Sequence, residues 1–182
     1  MYHPSLFNQV PKKLGVYALR RRVDPYWPKT GTRTVNRVAV VGYSGNVHQT
    51  LKQYFCEHTR TAMTANYRNA AMAIREQVTH IDCYFEPEIM IGKCQAKAFE
   101  RILTEELEPM LRPPQDSDNI GKEAVDIAQN EKFKNRVMSV IGSPSYTIRL
   151  PNRDNVIADL LEQNPELYGP IVQKKMPDLG DY

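Results

Sequence analysis

Three consecutive arginines, Arg20-Arg21-Arg22, close an apolar run, and Tyr26, Trp27, Arg33 and Arg37 follow soon after. Guanidinium groups grip phosphates and aromatic rings stack on bases, so this mixture suits nucleic acid. The same segment also suits an insertion that packs on a protein neighbour through Tyr26 and Trp27. Its length favours a role over a bare connector. No glycine loop of the kind that cradles phosphate and no nucleophile triad is present, which leaves a small-molecule enzyme a distant expectation. Cys56, Cys83 and Cys94 are odd in number and lack Cys-x-x-Cys spacing, so free thiols in a reduced compartment are expected and a zinc site is not.

Charge points the same way as the arginines. The net charge of the 182 residues is only +3, yet it is unevenly spread. Residues 1–60 hold ten Lys or Arg against Asp24 and Glu57, a net of +8, whereas residues 61–112 carry −2 and residues 113–182 carry −3. A basic third can lie against a polyphosphate, where counterion release makes affinity salt-sensitive. A solvated basic face, or one docked on an acidic neighbour, is the plainer alternative. No run approaches the ~20 apolar residues of a membrane span, and a signal-peptide core is absent. A cytoplasmic or nucleoprotein-particle-associated protein, not secreted and not membrane-bound, is expected.

The elements that must position these groups follow from hydrophobic period. Residues 1–13, with Pro4 and Pro11, read as an arm. Leu14 to Arg20 and the continuous apolar Val38 to Gly42 read as strands joined by a long connection. Asn46 suits the N-cap of a helix from Val47 to His58. Helices are expected over Thr61–Gln77 and Ile91–Leu111, with a strand His80–Phe85 between them and Pro113-Pro114 ending the second helix. Met63, Met72, Phe99 and Met110 read as core. Residues 115–145 read as a polar linker with a short helix around 122–140. A possible strand at Tyr146–Leu150, a helix at Asn155–Gln163 and a proline-interrupted tail complete the chain.

Gly15-Val16-Tyr17, Val40-Val41-Gly42, Ser44-Gly45-Asn46 and Ala98-Phe99-Glu100 with Leu103 and Pro109 occur in an order that resembles the GIY-YIG nuclease family. The resemblance covers roughly residues 13–112. It agrees with the order of elements, which gives a small three-stranded antiparallel α/β domain over 14–112, flanked by helices, after the 1–13 arm; residues 113–182, thinner in hydrophobic pattern, read as an extension that wraps the core or a partner. The resemblance implies that Tyr17 acts near the scissile phosphate, and that Glu100 holds a metal ion, Mg²⁺ suiting a single carboxylate completed by water and phosphate. A phenol of pKa near ~10 needs a cationic neighbour to serve as base. The plainer readings are a half-buried strand tyrosine and an exposed helix glutamate.

The resemblance is incomplete. Val40 stands where the second tyrosine is expected and Thr50 where an arginine is expected, and neither replaces a phosphate-stabilising cation. Tyr43, His48, Lys52, Arg60 and Arg68 are candidates to move in, although His48 and His58 read more plainly as surface histidines. Two functions therefore compete. One is a catalytically impaired, nucleic-acid-associated domain serving binding or assembly in a particle such as a virion or ribosome. The other is a divergent Mg²⁺-dependent endonuclease hydrolysing DNA. DNA is expected before RNA, with Arg20, Arg21, Arg22, Arg33, Arg37, Lys52 and Arg60 as contacts and protein partners within a larger assembly. Tyr17 and Glu100 are expected to share one cleft.

Overall fold

The structure, a computed structural model, describes residues 2–21, 38–56, 77–109, 111, 120–152, 155–156, 159 and 163. A 3-10 turn (Pro4–Phe7) precedes β1 (Gly15–Arg21), β2 (Val38–Ser44), α1 (Val47–Cys56), β3 (Val78–Tyr84), α2 (Lys93–Leu107), α3 (Lys122–Gln129), α4 (Glu131–Met138) and β4 (Tyr146–Arg149). The expected helix over 61–77, the connection from Arg22 to Arg37, and Met63, Met72 and Met110 lie outside the described residues.

The class is α/β, with four antiparallel strands in the order β2-β1-β3-β4 rather than the three expected. The added strand comes from the segment assigned to the carboxy-terminal extension. It pairs from His80↔Arg149 to Cys83↔Tyr146. Only Ile148 of its four residues is buried, which leaves a weak alternating signal in sequence. The chain divides into units at Leu150/Pro151, later than the Arg112/Pro113 boundary read from composition.

Period-two alternation along β1 builds two cores. Tyr17 and Leu19 face α1 together with Val40, Ile81, Cys83 and Ile148, over Leu51 and Phe55. Val16 and Ala18 face the other way with Val41 and Tyr84, against Phe99, Ile102 and Leu103 of α2. Two bulges bend the strands. Register slips between Leu19↔Val40 and Arg20↔Val38, and again between Arg20↔His80 and Arg21↔Val78, leaving Ala39 and Thr79 as extra residues. Each extra carbonyl finds a donor in a later segment: Leu111 N–H at 3.0 Å for Ala39 and Leu150 N–H at 2.8 Å for Thr79.

The amino-terminal residues are part of this unit. Phe7 and Val10 are buried in the α1 core, and Tyr2 N–H donates to Phe55 O at 3.1 Å. His48, expected on the surface, is buried. Its Nδ1 lies 2.9 Å from Phe7 O and 3.2 Å from Val10 O, and since carbonyls only accept, that nitrogen carries the proton. α2 is shorter than the apolar period suggests. Ile91 is 79% exposed before it starts, and Glu108 ends it in the left-handed region at φ 44° ahead of Pro109. The helix expected around 122–140 is broken at Asn130, whose extended backbone ends α3 while its Oδ1 accepts from Phe133 N–H and caps α4.

In the second unit, Pro151–Tyr182, Asn152 Oδ1 accepts from Asn155 N–H at 2.9 Å, and the described positions 155, 156, 159 and 163 are helical. This matches the helix expected from Asn155.

Candidate functional site

The motif residues on the α1 face form a closed seam. Tyr17 pairs across strands with Gly42 and is only 4% exposed. A Cβ at Gly42 would meet Tyr17 Oη at 2.6 Å and Cζ at 2.7 Å, so the phenol occupies the space that a side chain there would take. Gly15 has a similar reason, since a Cβ there would meet the Phe85 ring at 2.7 Å. Both motif glycines are seats for aromatic rings. Val40 lies in the same core, and Thr50 Oγ1 is 2.7 Å from Ser44 Oγ. Ser44 Oγ also accepts from Asn46 N–H, and Asn46 Oδ1 caps α1 by accepting from Gln49 N–H. The hydroxyl where a guanidinium was expected thus closes a turn.

Glu100 lies on the other side of the sheet. It is buried on α2, whose flanking Phe99 and Leu103 pack on Val16, Val41 and Tyr84. The sheet therefore separates Tyr17 from Glu100, and the shared cleft expected for them is not formed. The exposed-glutamate reading fails as well, because Glu100 is 6% exposed. Burial pushes its carboxyl from 4.5 up to about 7, with the Lys97 ammonium working against the shift. One turn on, the buried Thr104 Oγ1 is without a partner among the described residues.

The phenol near Glu100 is Tyr43. Its pKa is raised by burial first, then by Glu100 and Cys94. Lys97 Nζ lies 5.8 Å from the Tyr43 ring centroid and donates to Ile120 O at 2.8 Å. Cys94 donates to Glu123 on α3 at 3.2 Å, a bond that raises its pKa, and buried Cys83 is pushed up to about 12 by burial and then by Asp82. None of the three cysteines is in a disulfide.

Of the basic candidates, Arg20, Arg21 and Lys52 are among the described residues. Arg20 Nη2 donates to Asp82 Oδ1 at 2.9 Å and its Nε lies 2.6 Å from Oδ2, with the arginine 41% and the aspartate 8% exposed. Thr147 on β4 donates to the same Oδ1 at 2.7 Å, so Asp82 ties β1 and β4 to β3. Arg21 Nη1 donates to Gln77 Oε1 at 3.2 Å. Lys52 is partly buried on α1. Arg22, Arg33, Arg37, Arg60, Arg68 and His58 lie outside the described residues. Asp82 was missed in sequence, although an acid on an apolar strand is a usable signal when a triple arginine lies on another.

An oxygen-seeking Mg²⁺ suits the donor chemistry of Glu100, a buried carboxylate. It does not suit Tyr17, which the sheet holds away. Among the described residues no group of three or more His, Cys, Asp or Glu is placed to hold a metal. No family model, no curated protein and no solved structure matches this chain. The GIY-YIG resemblance therefore rests on the motif residues alone.

Proposed function

We propose that this chain is a nucleic-acid-associated, GIY-YIG-like domain that is catalytically impaired and serves binding or assembly within a nucleoprotein particle such as a virion or ribosome. The observation that carries the loss of chemistry is the burial of Tyr17 on Gly42, under the face opposite Glu100. A phenol must reach a nucleophilic water or a phosphate to act, and one packed among Leu19, Val40 and Phe55 does not. Val40 and the Ser44-bound Thr50 add no cation to that face. Support for nucleic acid comes from the +8 charge of residues 1–60.

One observation favours the competing endonuclease reading. Glu100 is buried and its carboxyl is raised to about 7. Perturbed carboxyls of this kind gather at functional sites. On that reading Glu100 would hold Mg²⁺, Tyr43 would donate to a phosphate oxygen, and the ion when bound would supply charge neutralisation. The discriminating experiment incubates purified protein with supercoiled plasmid and with single strands in Mg²⁺, and measures binding against salt in parallel. Salt-sensitive binding without nicking is expected. Cleavage that disappears in Glu100→Ala would establish the endonuclease instead.

A further inference from the structure

We infer that Tyr146, together with Lys12 and Lys13, forms a stacking platform for an unpaired base and its phosphates, making single-stranded nucleic acid the ligand of this domain. The inference rests on the nucleic-acid reading above. It adds a site built from described residues and uses none of the arginines that follow β1.

Tyr146 opens the edge strand β4 opposite Cys83 and is 37% exposed. Its ring meets buried Phe85 edge to face, with centroids 5.7 Å apart at 80°. Phe85 is itself fixed, because its ring fills the space over Gly15 and its N–H donates to Ser145 Oγ at 2.8 Å. Lys13 Nζ lies 5.3 Å from the centroid of the same Phe85 ring. One immobile ring thus carries both an open phenol and an ammonium group. Lys12 and Lys13 are exposed, and Lys13 O accepts from Val47 N–H at 3.2 Å, which anchors the backbone behind the charge.

A rigid aromatic ring with adjacent cations is what sequence-tolerant single-strand binding requires, because every base offers a π face and every linkage a charge. A duplex keeps its bases stacked on each other and offers the ring nothing. The neighbouring Ser145 hydroxyl has no proton left to donate to a sugar, since it accepts from Phe85 N–H and donates to Glu86 Oε1 at 3.0 Å. Glu86 brings an opposing charge to this arrangement, and its removal should tighten binding.

The test is fluorescence anisotropy of the full chain with labelled oligo(dT), oligo(U) and a duplex at roughly 50 mM salt and upward. Tyr146→Leu keeps an apolar contact with Phe85 but removes the π face, and should weaken both single strands about five- to a hundredfold while leaving duplex binding unchanged. Tyr146→Phe should bind as wild type and Glu86→Gln more tightly. Lys12→Gln with Lys13→Gln should flatten the salt slope by about 0.7 for each phosphate no longer neutralised. Wild-type affinity in Tyr146→Leu overturns the platform while the nucleic-acid reading stands. Equal weakening of duplex and single strand overturns it too, by showing charge or folding at work. Failure of the wild type to bind any of the three probes removes both.

Discussion

Tyr17 lies on Gly42, its hydroxyl oxygen 2.6 Å from where a Cβ would stand. Glycine in a strand normally weakens it by about 0.5–1 kcal/mol relative to alanine, so a small residue is retained here for space. Gly42→Ala should destabilise by about 1–3 kcal/mol, the usual cost of overpacking. In a Tyr17→Ala background the same change should cost nothing or stabilise. Urea unfolding of the four forms gives the coupling. Equal effects in both backgrounds would mean that the ring does not set the residue at position 42.

The Arg20–Asp82 pair leads to a second expectation. Asp82 accepts from Arg20 and from Thr147, and its side chain is 8% exposed. Asp82→Ala removes the acceptor for both, while Arg20→Ala leaves a buried carboxylate without its cation. Because Arg20 is 41% exposed, water screens part of the pair. A loss of about 1.5–3 kcal/mol is expected for Arg20→Ala, with less for Thr147→Val. If Arg20→Ala unfolds at the wild-type urea midpoint but loses nucleic-acid affinity, the guanidinium belongs to a ligand and not to the strand clasp.

Strand and helix positions were legible where apolar runs were dense. β1, β2, β3 and α1 fell near their expected places, and the middle of α2 did as well. Which face each motif residue serves was not legible. Gly15 to Leu19 are all buried, so alternation separates Tyr17 from Val16 but does not say which helix covers which side. That assignment places Tyr17 under α1 and sets α2, which carries Glu100, on the opposite face, and it is a property of tertiary packing. β4 was weakly written because one of its four residues is buried. Asp82 needed the strand register, which brings Ala18 opposite it and Arg20 one step along the same face. His48 became a core residue because Phe7 and Val10, in what read as an arm, offer it carbonyls.

Restoring the two absent motif residues should not restore cleavage. Val40 is buried, and Thr50 is bound to Ser44, so Val40→Tyr overpacks the α1 core and Thr50→Arg breaks a turn. The first should cost about 1–3 kcal/mol and the second about 0.5–1.5 kcal/mol. The new phenol would still lie on the sheet face opposite the helix that carries Glu100. Thermal unfolding should show the loss, and plasmid nicking in Mg²⁺ should stay at background. Nicking that appears in the double variant and vanishes with Glu100→Ala added would show that the two faces cooperate after all.

The clearest pH signature should come from Glu100. Its carboxyl moves from 4.5 when exposed to about 7 when folded, mainly through burial. The folded state therefore holds a proton that the unfolded chain has released between these two values, and stability falls as pH rises through that window. Below about pH 4.5 the group costs nothing, and above about pH 7 the full penalty is present. A shift of this size corresponds to a penalty on the order of 3 kcal/mol. Glu100→Gln keeps the shape without the charge, so it should be more stable than wild type at about pH 8 and nearly equal to it at about pH 4. Urea unfolding of both proteins across roughly pH 4–8 checks this, with the difference between them growing mostly between about pH 5 and 7. Mg²⁺ provides the last arm. If Glu100 is a ligand for the ion, adding Mg²⁺ at about pH 8 should stabilise the wild type and leave Glu100→Gln unmoved. A flat difference across the pH range would mean that the carboxylate is solvated in the folded protein and that its burial carries no strain.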